Sequence, residues 1–124
     1  IKNKYHNKKI TTVDGKFDSK YEFEIWCRLK LLEKANKISH LQRQVSFELI
    51  PTIKTSIQTL VKIKYYADFV YFDNELEHWC AVDAKGFRTD VFQIKKRLFL
   101  LNYGDKYLFI EMAKGKKDKI FNIL

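Results

Sequence analysis

Apolar residues recur along this chain with two different periods, and each change of period marks the end of an element. From Lys20 to about Ala35 they fall at helical spacing, with Ile25, Trp26, Leu29 and Leu32 on one stripe. Ser19-Lys20-Tyr21-Glu22 has the S-x-x-E form of a capping box that opens this helix, and Asn36-Lys37 closes it. Glu22 falls in line with the stripe, while Glu24 faces away and can pair with Arg28 one turn on. From Gln42 to Ile50 the period becomes two. Val45, Phe47 and Leu49 take one face of a strand and Gln44, Ser46 and Glu48 the other, until Pro51 ends it. Residues 52–59 read as a polar loop. Two further strands, at about 60–72 and 78–85, pair as a hairpin around Asn74–Glu77. Gly86 breaks the second of these. Thr89 then caps a helix from Asp90 to about Asn102, closed by Gly104, with Val91, Ile94, Leu98 and Leu101 toward the core. Tyr107–Met112 is a continuous apolar run, as expected for a buried strand. Ahead of the first helix, the Asp14-Gly15 pair suits a tight hairpin turn.

The order helix, three antiparallel strands, helix, strand (αβββαβ) predicts an α/β fold with a mixed central sheet flanked by helices. A chain of 124 residues, 46% hydrophobic and 15% aromatic, is expected to fold as one domain over 1–124, with a basic arm at about 1–9. One proline and four glycines argue against a flexible linker. No apolar run reaches the roughly 18 residues of a membrane span, and no signal-peptide pattern opens the chain. Cys27 and Cys80 lack metal-ligand spacing and read as reduced thiols, so the expected location is the cytoplasm. The first residue is Ile1, which suggests that a few native residues precede it.

Charge adds a partner. A net charge of +9 with a pI near 9.5 points to a polyanion, most simply nucleic acid. Lys4, Lys8 and Lys9 are placed either to follow a phosphate backbone or to solvate a loose terminus. Lys95 and Lys96 either hold a phosphate or line a solvated helix face.

The chemistry concentrates around two strands. Asp68 ends a short apolar strand, in the run Lys64-Tyr65-Tyr66-Ala67-Asp68-Phe69-Val70-Tyr71, and Asp83-Ala84-Lys85 follows after a hairpin-sized gap. Alternation puts Asp83 and Lys85 on one face, and hairpin pairing sets Asp68 opposite or diagonal to Asp83. Two neighbouring carboxylates repel, and one lysine does not offset both. A divalent cation does. Hard carboxylate oxygens, with the Ala84 carbonyl as a further donor, suit Mg²⁺, with Mn²⁺ as a substitute, rather than zinc. The plainer alternative is an exposed Asp83–Lys85 pair worth ~0–1 kcal/mol. Glu22 either caps its helix or joins the same cation, since a buried carboxylate without compensation costs several kcal/mol, on the order of 3–5. Gln44 either orients a metal-bound water or is an ordinary strand-face glutamine. His6, His40 and His78 are scattered without ligand spacing.

This arrangement resembles the PD-(D/E)XK nuclease superfamily over most of the chain. It is most similar to small phage-encoded proteins of that superfamily with no assigned function. The segments that carry the closer likeness are Lys4-Tyr5-His6-Asn7-Lys8-Lys9, Phe17-Asp18-Ser19-Lys20-Tyr21-Glu22, Phe47-Glu48-Leu49-Ile50-Pro51, Tyr66-Ala67-Asp68-Phe69-Val70-Tyr71 and Asp83-Ala84-Lys85-Gly86. Phage junction resolvases of the endonuclease I type share the core. Ala67 stands where the superfamily's name-giving proline would be. The resemblance implies a restriction-endonuclease-like core in which Asp68, Asp83 and Glu22 hold the metal. Lys85 would position or deprotonate the attacking water, or stabilise the transition state. It also implies a Mg²⁺-dependent endodeoxyribonuclease acting on branched or otherwise structured DNA, as a homodimer with two sites. The alternative is a basic DNA-binding or partner-binding module on the same fold without activity.

Overall fold

The computed structural model describes residues 8–84 and 89–112. A hairpin of β1 (Ile10–Thr12) and β2 (Gly15–Phe17) leads into helix α1 (Lys20–Lys34). Gly15 turns that hairpin at a φ of +114°, a conformation that favours glycine. Ser19 caps α1, its Oγ accepting the Glu22 amide at 3.1 Å. At the other end Asn36 takes a left-handed φ of 61°, and the Lys37 amide donates back to the Leu32 carbonyl at 2.9 Å.

The central sheet follows. β3 (Ile38–Ile50), β6 (Ile63–Asp73) and β7 (His78–Ala84) pair antiparallel, and β8 (Tyr107–Met112) joins β7 in parallel after helix α2 (Asp90–Tyr103). The order across the sheet is β3-β6-β7-β8, so the described residues form a mixed α/β structure with two helices and a four-stranded mixed sheet. The expected polar loop at 52–59 instead holds a small hairpin of β4 (Ile53–Lys54) and β5 (Thr59–Leu60), because Thr55 side-chain and backbone bonds to Gln58 close its turn. β3 starts at Ile38, ahead of the expected Gln42, and β6 at Ile63.

Each face of the sheet carries its own core. Phe17, Ile25, Trp26 and Leu29 of the α1 layer pack on Phe69, Tyr71 and Val82. On the opposite face Phe99 of α2 packs among Phe47, Tyr65 and Ala67. Most of the expected core stripe of α2 is out of phase: Val91, Ile94 and Leu101 are exposed, Leu98 packs against the core as expected, and Phe99 is the buried residue of the helix. Aromatic area decides the rotation. Phe99 meets Phe47 edge-on at 4.9 Å between ring centroids, and Phe109 and Tyr65 at 5.2 and 5.7 Å. Turning these rings inward buries more surface than the aliphatic stripe offers. The helix end is pinned to β3, where the Tyr103 hydroxyl donates to the Glu48 carbonyl at 2.7 Å. β8 is also less buried than its apolar run suggested, with Leu108 exposed, because it lies at the sheet edge among the described residues.

One irregularity positions the site. Strand residues normally alternate between faces, so residues two apart share one. Tyr65 and Ala67 pack on the α2 side, but Phe69 and Tyr71 pack on the α1 side. On β3, Val45 packs on the α2 side, while Arg43 lies 3.6 Å over the Phe17 ring on the α1 side. The switch falls at Asp68 on one strand and at Gln44 on the other. Gln44 has a φ of 49°, outside the extended region, which breaks the alternation there.

Candidate metal centre

The break in alternation turns Asp68 toward α1, where it meets the helix acid. Asp68 and Glu22 are each 1% exposed. One carboxylate oxygen from each of Asp18, Glu22 and Asp68 lies within 4.8 Å of the others. Asp18 directly precedes the helix cap and is exposed, so the group runs from the protein interior to solvent.

Two side chains of β3 tie this group together. The Gln44 Nε2 donates to Asp68 Oδ1 at 3.0 Å and reaches Glu22 Oε1 at 3.5 Å. Arg43 Nη2 lies 4.0 Å from Glu22 Oε1. Arg43 also donates to the Asp14 carbonyl at 3.3 Å and to the Lys16 carbonyl, which anchors the β1–β2 turn beside the site. A Cβ at Gly15 would come within 3.2 Å of the guanidinium, so that position is constrained by space as well as by φ. The remaining Asp68 oxygen, Oδ2, accepts the Ala84 amide at 2.7 Å, just beyond the last β6–β7 pair, Phe69 with Val82. Asp68 thus fastens the end of β7 with one oxygen and faces Glu22 with the other.

The expected residues separate into groups. Glu22, Gln44 and Asp68 come together as the sequence suggested, and Glu24 is exposed. Asp83 is fully buried, but its Oδ2 accepts the Tyr65 hydroxyl at 2.6 Å, and it is not a member of the three-carboxylate group. Ala84 reaches the site through its amide. Lys96 is ion-paired with Glu111 on β8, and Lys95 is half-buried. Lys8 and Lys9 are exposed, while Lys4 and Lys85 lie outside the described residues. Asp18 was missed. Helical spacing does not reveal it, because Asp18 lies outside α1, ahead of the extended cap residue Ser19.

Other buried titratable groups nearby play no comparable part. Burial pushes the Tyr71 hydroxyl far above its ordinary range, with Cys80 adding to the effect. Burial likewise pushes the Cys80 thiol up to about 11. Both stay protonated at neutral pH, which makes them packing groups rather than nucleophiles.

Fold and site together define a mixed α/β protein with a buried acidic group of the size and donor type that can hold a metal ion. A family model described as "Protein of unknown function (DUF1064)" matches residues 2–118, and the chain belongs to that family. No curated protein and no solved structure matches it. Among the described residues, no helix is long and apolar enough to cross a membrane.

Proposed function

We propose that this protein is a Mg²⁺-dependent endodeoxyribonuclease with the restriction-endonuclease-like arrangement that its sequence resembles. One observation carries the proposal: two almost fully buried carboxylates, from α1 and β6, converge with a third within 4.8 Å. Burying ionised acids side by side is unfavourable unless a cation neutralises them. The donors are all carboxylate oxygens, which fit Mg²⁺ or Mn²⁺. Asp68, Glu22 and Asp18 would hold the ion. Bound there, it would supply an activated water and neutralise the phosphate oxygens.

The chain's own contribution is orientation. Gln44 holds Asp68 and Glu22 with a single amide nitrogen, and Arg43 keeps a positive charge next to Glu22. Asp83 and Lys85 are matched by the resemblance alone. Lys85 would hold or move a proton at the attacking water. The net charge of +9 supports a polyanionic substrate. The likeness to junction resolvases favours branched DNA and a homodimer, in phage-infected cytoplasm.

The test incubates the protein with labelled linear, nicked, single-stranded and four-way-junction DNA, in Mg²⁺, Mn²⁺ or EDTA. Cleavage in either metal that stops in EDTA is expected, strongest on the junction. Undiminished cleavage in EDTA by a homogeneous preparation would remove the metal from the proposal. Binding without cleavage in every condition would leave an inactive DNA-binding module.

A further inference from the structure

The β4–β5 hairpin contributes nothing to either core. Every residue from Pro51 to Ile63 is exposed, including Ile57 at 87% and Val61 at 80%. Exposed aliphatic side chains on a loop usually reflect a loose segment, but this one is built. Its strands pair Ile53 with Leu60 and Lys54 with Thr59. Its turn is closed by Thr55, whose hydroxyl accepts the amides of Ile57 and Gln58 at 3.3 and 3.0 Å and donates to the Gln58 carbonyl at 3.1 Å. Its base is tied where the Lys62 amide donates to Thr52 Oγ1 at 3.2 Å. The turn therefore presents Ile57 at the tip of an ordered ribbon.

Charge identifies what such a ribbon fits. Between Glu48 and Asp68 there is no acidic residue, while Lys54, Lys62 and Lys64 all lie there. Lysines with an apolar tip suit a duplex: the cations lie along phosphates, and an aliphatic side chain enters the base stack from the minor groove. An acid-free lysine ribbon is less suited to a second copy of this chain, which also carries +9. The ribbon extends directly from β3 and β6, the strands that carry Gln44 and Asp68. Its tip lies no farther than about 36 Å from Asp68, within about one helical turn of DNA.

We infer that the β4–β5 hairpin is a DNA-bending arm, with Ile57 as the wedge and Lys54 and Lys62 as phosphate contacts. This rests on DNA as the partner but not on the metal, so it is tested in EDTA with intact protein. A short duplex labelled at both ends reports bending by energy transfer, fluorescence anisotropy reports affinity against salt, and sedimentation reports oligomeric state. The parent should bind and bring the duplex ends closer. Ile57→Gly should lose the bend and about tenfold in affinity, the scale of burying one aliphatic side chain, while keeping its salt dependence. Lys54→Gln with Lys62→Gln should reduce the slope of log affinity against log salt by about 1.8. Neither change touches the core, so both variants should fold. Unaltered bending by Ile57→Gly, an unchanged salt slope in the lysine variant, or no binding by the parent would each overturn the inference. Loss of a dimer in Ile57→Gly would overturn it too and make the arm an interface between copies. Success here with no metal-dependent cleavage would sink the nuclease proposal alone.

Discussion

The two faces of the sheet are built on opposite principles. On the α2 face, rings from Phe47, Tyr65, Phe99, Tyr103 and Tyr107 interlock, and the buried acid among them, Asp83, accepts a hydrogen bond from Tyr65. On the α1 face the apolar core of Phe17, Trp26 and Phe69 borders a place where Glu22 and Asp68 are buried side by side. The first arrangement contributes stability by area, at roughly 25 cal/mol per Å² of apolar surface removed from water. The second spends stability, because like charges are brought together out of water. The proposed cation would offset that cost.

The largest expected effect tests that division on the α1 face. Glu22→Gln and Asp68→Asn should each lower cleavage by more than the roughly 10–100-fold that an outer-sphere partner costs, and Gln44→Ala by about that range. Glu24→Gln, two residues along the same helix, should cleave like the parent. If both Glu22→Gln and Glu24→Gln cleave like the parent, Glu22 is only a helix cap and the division between the faces fails.

Next in size is the α2 face. Phe99→Ala should destabilise the fold by about 3–5 kcal/mol in denaturant titrations, the usual cost of removing a buried ring. Val91→Ala, on the exposed side of the same helix, should stay within roughly 0.5 kcal/mol. Comparable losses at both positions would mean that α2 packs by its aliphatic side after all.

A third measurement compares the faces in a single melt. Saturating Mg²⁺ should raise the parent's stability by about 2.7 kcal/mol at a hundredfold excess over its dissociation constant. Asp68→Asn should gain far less from the metal. Phe99→Ala, if still folded, should gain as much as the parent. Equal gains in all three would place the cation somewhere other than the α1 face.

The smallest effect is at Tyr65→Phe, which removes the hydroxyl that Asp83 accepts. A loss of roughly 1–3 kcal/mol is expected, read by denaturation in EDTA. No loss would show that Asp83 does not depend on Tyr65 for its burial.

How much of this was legible in the sequence depended on whether one signal or two competed at each position. α1 was readable because the cap, the apolar stripe and the phase of Glu22 all agreed. The β6–β7 hairpin was readable for the same reason. In α2 an aliphatic stripe and an aromatic one shared a single helix, and spacing alone does not say which has the larger partner waiting across the sheet. Asp83 was placed beside Asp68 by pairing, which assumed regular alternation. The left-handed Gln44 and the switch at Asp68 break that assumption, and neither residue type announces it. Asp18 was overlooked because the neighbouring Ser19 already explained the helix start.

The irregular backbone of β3 has a consequence for how the molecule behaves in a crowd. β3 is a long strand of 13 residues at the edge of the four-stranded sheet among the described residues. A flat strand of that length would offer an unbroken row of amides and carbonyls on which another chain could polymerise. Instead its pairing register shifts between Ser39 and Gln42 and again between Glu48 and Ile50, and His40 and Gln44 both take positive φ. Each of these kinks interrupts the row. The distortion that aims Gln44 at two carboxylates also keeps β3 from being a straight edge, so straightening it by replacing Gln44 with a residue confined to extended backbone would invite aggregation as well as loosen the site.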